Sequence, residues 1–323
     1  MDIVWLILGL LLILAGANWL TDGASAIAKK WGVSDLIIGL TVVAFGTSTP
    51  ELSIGIISAL KGSAPLAIGN VVGSNIFNIF VIIGVVALIH PIKIEPSILN
   101  TQIPLVILSS VALLAIGCGP WLGVPGPSEI TRPESILLFL FLLIFMRYTF
   151  SQAKKASPED PSAQQASSLP PMNVWKAVGL VILGLGALVF GGDRFVAGAS
   201  GIAASLGMSE ALIGLTIVAA GSSLPELATS ILAAIKGKTG IAVGNVIGSN
   251  IFNIFMVLGI TGMIRPLPFE GIGVWDLLVM TGASILFWIF GRQFGDKVIN
   301  RFEGGILLSC YIGYIVAQIF TIN

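Results

Sequence analysis

Charge is scarce in this chain. Only 10% of its 323 residues are Asp, Glu, Lys or Arg, against about 25% in an ordinary soluble domain. So few charges cannot clothe a water-facing surface, which excludes a soluble globular protein and leaves lipid as the main solvent. The formal net charge is zero, so there is no electrostatic case for nucleic acid or an acidic partner. Cysteine occurs twice, as Cys118 and Cys310 in apolar segments, which excludes a disulfide framework. Histidine occurs once, as His90 at the end of an apolar run, and no HExxH motif is present, so a hydrolytic metal centre has no basis. A basic leader is also missing. Met1–Trp5 passes straight into a long apolar stretch and reads as a first membrane span rather than a cleaved signal.

What the chain has instead is hydrophobic length. A span needs roughly 20 mainly apolar residues, and ten candidates follow: 3–20, 36–59, 65–89, 102–119, 134–150, 174–193, 210–235, 241–264, 273–291 and 303–321. The one long polar segment, 151–172, is rich in Pro, Ser, Gln and Ala and reads as a flexible linker. It separates a first five-helix part (1–150) from a second (173–323). Twelve of the sixteen Lys and Arg residues fall in the loops after the odd-numbered spans and the linker, and four (Lys61, Arg132, Arg194, Arg265) in the opposite loops. The positive-inside rule then places the linker in the cytoplasm and both termini outside.

A repeat organises the chain. Residues 39–84 recur at 214–259 with a constant offset of 175, no gap and 27 of 46 positions identical. Each half has an odd number of expected spans, so the second copy enters the membrane from the opposite side. The expected fold is an all-α membrane protein of ten transmembrane helices, arranged as two inverted-topology five-helix repeats. Secondary transporters use this architecture, with the site near the midplane where the repeats meet.

Within the repeat sit Glu51 and Glu226, equivalent under the offset. A carboxylate at membrane depth costs several kcal/mol unless paired, and so marks a functional site. No Lys, Arg or His is expected deep in a span to neutralise either one, leaving cations or protons from outside. Thr47 and Ser48 precede Glu51 by four and three positions, on one helical face, as Ser222 and Ser223 precede Glu226. In the next span Ser74 and Asn78 are four apart, repeated as Ser249 and Asn253. The set offers oxygen and no nitrogen or sulfur, which suits Ca2+ with its roughly 6–8 oxygen ligands. Pro50 and Pro225 remove a helical N–H beside Gly46 and Gly221, so both helices should break there and free carbonyls for a cation. Asn70, Asn245, Asn75 and Asn250 are open between helix packing and support of the ligands.

GTSTPE (46–51) and GSSLPE (221–226), each followed by GN-x-x-GSNIFN, resemble the alpha repeats of the calcium/cation antiporter superfamily, most nearly its prokaryotic sodium/calcium exchangers. The resemblance covers nearly the whole chain. It implies a secondary antiporter, not an enzyme, that exchanges Ca2+ for Na+ by alternating access, in several members through sliding of the first and sixth spans. It implies Glu51 and Glu226 as the shared carboxylates, with Thr47, Ser48, Ser74, Asn78, Ser222, Ser223, Ser249 and Asn253 as further ligands. Backbone carbonyls near Ala44 and Ala219 would join flanking Na+ sites. Several members carry Asp where this chain has Asn253, so two carboxylates replace three and K+ co-transport is disfavoured. The alternatives are a Ca2+/H+ antiporter of the same superfamily and, further off, a cation channel. No cofactor beyond the transported ions and no obligatory protein partner is expected, in a plasma (inner) membrane setting.

Overall fold

A computed structural model of the chain describes residues 1–61, 65–123, 126–155, 172–206, 219–293 and 297–322. Its helices are α1 (Asp2–Trp31), α2 (Asp35–Thr47), α3 (Thr49–Lys61), α4 (Leu66–Ile89), α5 (Ile98–Gly117) and α6 (Arg132–Lys155), then α7 (Val174–Ser205), α8 (Leu224–Ile235), α9 (Thr239–Ile264), α10 (Val274–Gln293) and α11 (Arg301–Ile322). Among the described residues eight helices are long and apolar enough to cross a membrane, and α2 with α3, bent by 40°, makes a ninth. The protein is therefore a multi-pass membrane protein. The expected seventh span, 210–235, begins outside the described residues; its described part, 219–235, holds a short helical turn and α8.

Three helices overrun their expected ends. α6 runs to Lys155 rather than 150, into the segment expected to be a linker, whose residues 156–171 lie outside the described residues. α1 reaches Trp31 rather than stopping near residue 20, and α7 reaches Ser205 rather than 193. Hydropathy stops at Asp22 and at Asp193–Arg194, but the backbone does not, because the helix supplies these residues with partners. Asp22 Oδ1 lies 2.6 Å from Lys236 Nζ, and the Arg194 guanidinium stands 4.9 Å from the ring centroids of both Trp5 and Phe190. α1 then ends on Gly32, whose φ of 63° is the left-handed cap a glycine accepts without strain, with Lys29 and Lys30 in the last turn.

The chain forms two compact units, Met1–Pro50 with Met146–Gly248, and Glu51–Phe145 with Ser249–Asn323. Each draws on both copies of the repeat. In the first unit α1 and α7 cross through glycines spaced by seven: Gly9, Gly16 and Gly23 on α1, and Gly184, Gly191 and Gly198 on α7. The second trio is the first moved by 175 positions. A Cβ added at Gly16 would lie 2.8 Å from the Gly184 carbonyl oxygen, and one at Gly23 would lie 2.7 Å from the Ala177 carbonyl oxygen. The contact order runs antiparallel, backbone against backbone, which only the absence of side chains permits. α2 and the first half of α9 make a second close seam, in which a Cβ at Gly244 would lie 2.6 Å from the Leu36 carbonyl oxygen.

Lys238, in the turn between α8 and α9, buries its Nζ with no hydrogen bond among the described residues. Burial pushes its ammonium below the usual lysine range against the pull of Asp35 and Asp22, with Lys236 adding repulsion. A depressed lysine pKa destabilises the fold while the group is charged, so this cost grows as pH falls from the alkaline range through the folded value. Lys238→Met is expected to raise the melting temperature at neutral pH and to lose the advantage at strongly alkaline pH. A lower melting temperature for the variant at neutral pH would show that attraction by the two aspartates outweighs desolvation.

In the second unit the all-helical expectation meets a small correction. β1 (Ile92–Lys93) pairs antiparallel with β4 (Val298–Ile299), and β2 (Glu129–Ile130) with β3 (Leu267–Pro268). Each ladder joins the segment after the long helix of one repeat to the segment before the last helix of the other. Strands of two residues carry no readable alternation, so only the fold reveals them. Two similar boxes start the helices that follow: Glu134 accepts from the Thr131 N–H at 2.7 Å, and Glu303 from the Asn300 N–H at 2.7 Å. This capping offsets part of the cost of burying Glu303, which is 3% exposed.

Candidate functional site

Both expected helix breaks are present, slightly before the prolines. Ser48 (φ −81°, ψ 6°) ends α2, and Ser223 (φ −90°, ψ 5°) precedes α8. These equivalent serines share the sparsely populated bridge region, while Pro50 and Pro225 sit in the first turns that follow, where a missing N–H costs no helical bond. The carbonyl of Ala44 accepts the Ser48 N–H at 3.0 Å, and the Thr47 hydroxyl oxygen lies 3.5 Å from it. Ala219 begins the short helical turn Ala219–Gly221.

The first unit holds Glu226, 1% exposed. Its Oε1 accepts the Ser48 hydroxyl at 3.4 Å, a bond between the two repeats. Thr47 donates to Asn245 Oδ1 at 3.0 Å, while the Asn245 amide donates to Ser230 Oγ at 3.0 Å and to the Glu226 carbonyl at 3.3 Å. Ser223 Oγ is buried and makes no hydrogen bond among the described residues. Ser222, beside it, is half-buried.

The second unit holds Glu51, also 1% exposed, whose Oε1 accepts the Ser74 hydroxyl at 3.4 Å. Asn78 and Asn253, buried equivalents on α4 and α9, each start a π-helical stretch, Asn78–Ile83 and Asn253–Leu258. Such a wide turn re-aims side chains and recurs at functional positions; no hydropathy period announces it. The Asn78 amide donates to Asn250 Oδ1 at 3.1 Å and the Asn253 amide to Asn75 Oδ1 at 3.0 Å. Moving either bond by 175 positions turns it into the other, so the two copies of the repeat exchange equivalent bonds. With the amide end of each side chain turned to its partner, Asn78 Oδ1 and Asn253 Oδ1 are buried carbonyl oxygens without a protein donor among the described residues. Ser249 is fully buried.

The donors are carboxylate, hydroxyl, carboxamide and backbone oxygens, and among the described residues no cluster of three or more His, Cys, Asp or Glu occurs. Oxygen donors of this kind suit hard cations. Sequence reasoning left Asn75, Asn245 and Asn250 open; all three are at most 1% exposed and bond directly to expected ligands. Their signal was the recurrence of the whole GN-x-x-GSNIFN string, which preserves the supports together with the ligands.

The profile of the family described as Sodium/calcium exchanger protein matches residues 1–151 and 176–320. A candidate antiporter, CaxA of Alkalimonas amylolytica, is 39% identical over 315 residues, covering 96% of each chain. The sodium/calcium exchanger MaX1 of Methanosarcina acetivorans is 32% identical over 343 residues, covering 98% of this chain and 97% of its own. Among solved structures, the sodium-calcium exchanger NCX_Mj soaked with Na+ and Ca2+ aligns with a TM-score of 0.82 and 31% identity, over 98% of this chain and 97% of that one. Family profile, full-length relatives and shared fold agree: the chain belongs to the sodium/calcium exchanger family, as a prokaryotic-type member of the calcium/cation antiporter superfamily.

Proposed function

We propose that this protein exchanges Ca2+ for Na+ across a plasma membrane by alternating access. The observation that carries the reading is the pair Asn78 and Asn253. Two equivalent, buried carboxamide oxygens meet no donor among the described residues, which leaves their lone pairs for a cation. The ligands in the first unit are Thr47, Ser48, Ser222, Ser223 and Glu226, with the carbonyls near Ala44 and Ala219. In the second unit they are Glu51, Ser74, Asn78, Ser249 and Asn253. Two carboxylates carry two negative charges, and one Ca2+ or two Na+ neutralise them equally, so the ions compete. Loss of the bound cation's charge from beside these buried carboxylates makes reorientation of the unloaded protein costly, which couples the two fluxes. A third Na+ would move net charge, at about 2.3 kcal/mol per charge per 100 mV.

The ten-helix inverted arrangement belongs to the same proposal, with the linker cytoplasmic and both termini outside. The crossed β ladders support it, since each joins segments separated by an even number of expected spans, and so does the antiparallel glycine seam of α1 and α7. The seam also favours movement of α1 and α7 as one piece. Names of the relatives MaX1 and NCX_Mj favour Na+ as the counter-ion. Proton coupling through the same glutamates is the second reading.

The deciding experiment is uptake of radiolabelled Ca2+ into proteoliposomes loaded with Na+, K+ or choline at matched pH. Uptake is expected only with internal Na+. Uptake driven by a pH gradient without Na+ would transfer the reading to Ca2+/H+ exchange, and a lack of Ca2+ flux under every gradient would reject the substrate.

A further inference from the structure

We infer that Asn75, Asn245 and Asn250 are positioning residues whose side-chain oxygens each accept a hydrogen from a neighbouring ligand, so that the ligand's oxygen lone pairs are turned to a cation. This rests on the ligand reading proposed above. Thr47 gives its proton to Asn245 Oδ1 at 3.0 Å, Asn78 gives an amide hydrogen to Asn250 Oδ1 at 3.1 Å, and Asn253 gives one to Asn75 Oδ1 at 3.0 Å. Three expected ligands thus face three acceptors that are not themselves expected ligands. In the second unit the device is duplicated by the repeat, and in the first it serves a hydroxyl.

The need for it follows from asparagine's shape. The two ends of a carboxamide are nearly identical in size and opposite in polarity, so packing alone cannot choose between them. A flipped amide would aim two N–H hydrogens at the cation. The choice at Asn253 is made by Asn75, whose own orientation is set by its Nδ2 donating to the Asn250 backbone carbonyl at 3.3 Å. A main-chain carbonyl cannot flip in a helix, so the polarity of α9 is passed through Asn75 to the oxygen of Asn253. Asparagine serves where alanine would pack because it offers an acceptor to the ligand and a donor to the backbone at once.

A carboxylate has oxygen at both ends and needs no such control, which yields a test. Four proteins are compared: the parent, Asn75→Ala, Asn253→Asp and the double variant. The readouts are the KM and kcat for Ca2+ uptake into Na+-loaded proteoliposomes, and Ca2+-induced thermal stabilisation in detergent. In the parent background, Asn75→Ala is expected to raise the Ca2+ KM at least about tenfold with a smaller change in kcat. In the Asn253→Asp background the same substitution is expected to change KM less than about twofold, or to lower it, because Asn75 Oδ1 then faces another acceptor. Asn250→Ala with and without Asn78→Asp repeats the comparison on the other strand of the symmetry and guards against misfolding of one variant. Equal fold-changes in both backgrounds would overturn the inference, leaving Asn75 as packing, while the exchanger reading stood. Absence of both Ca2+ stabilisation and Ca2+ uptake in the parent would overturn the ligand reading and the inference with it.

Discussion

Glu51→Gln is expected to abolish exchange while leaving the protein at least as stable as the parent. The two outcomes have opposite signs for one reason. At 1% exposure, a charged Glu51 costs several kcal/mol of desolvation in the absence of a cation, and a neutral amide of the same shape removes most of that cost. The bond from Ser74 Oγ at 3.4 Å survives, since the Gln side-chain oxygen accepts it equally well. Transport loses one of the two charges that balance the ion. Removing one partner of a buried charge pair costs about 3–5 kcal/mol, which corresponds to roughly 100-fold to several-thousand-fold in rate or affinity. Glu226→Gln is expected to behave alike, because the repeat makes it equivalent and Ser48 takes the place of Ser74 as donor. The check is Ca2+ uptake beside a thermal unfolding curve in cation-free buffer. Retained exchange in either variant would remove the carboxylates from the centre of the mechanism. A collapse of stability with the loss of transport would make them structural.

The second large effect is expected at the glycine seam of the first unit. Gly184→Val places a Cβ 2.7 Å from the Leu20 backbone nitrogen and 2.8 Å from the Gly16 carbonyl oxygen. Neither is the end of a flexible side chain, so relief requires α1 and α7 to separate along their length. Overpacking typically costs about 1–3 kcal/mol, and a clash with backbone lies at the upper end or beyond. Gly179→Val, on the same helix, meets nothing within 4 Å and is expected to change stability by less than about 0.5 kcal/mol. Comparing the two by thermal unfolding and by Ca2+ uptake separates contact from mere loss of glycine. The Gly184 variant should lose both stability and exchange, with the Gly179 variant close to the parent. If Gly184→Val were as stable as Gly179→Val, backbone contact along the seam would not be what holds α1 against α7.

Chemistry that acts over a few residues was the most legible. The 175-residue repeat, the paired glutamates and the helix breaks are local statements, although Ser48 and Ser223 carry the breaks two residues after the glycines where they were expected. Boundaries were less legible, because Asp22 and Arg194 look like loop residues until Lys236, Trp5 and Phe190 are beside them. The π turns at Asn78 and Asn253 were invisible, since an inserted residue leaves an apolar run as apolar as before. Asn75 and Asn250 could not be assigned from their own positions, because the meaning of a carboxamide depends on which partner takes which end.

By itself the sequence determined that this protein lives in lipid, that it is built twice, and that each copy carries one carboxylate among oxygen donors. Those conclusions need only solvation energy, a repeat count and the donor inventory of the side chains. Only the tertiary structure decided which copies of each motif touch: Ser48 with Glu226, Asn78 with Asn250, Asn253 with Asn75, and the glycines of α1 with those of α7. Such partners lie more than 160 residues apart in the chain, and no local propensity reaches that far. They are selected by the fit of backbone to backbone and donor to acceptor once the two copies fold together.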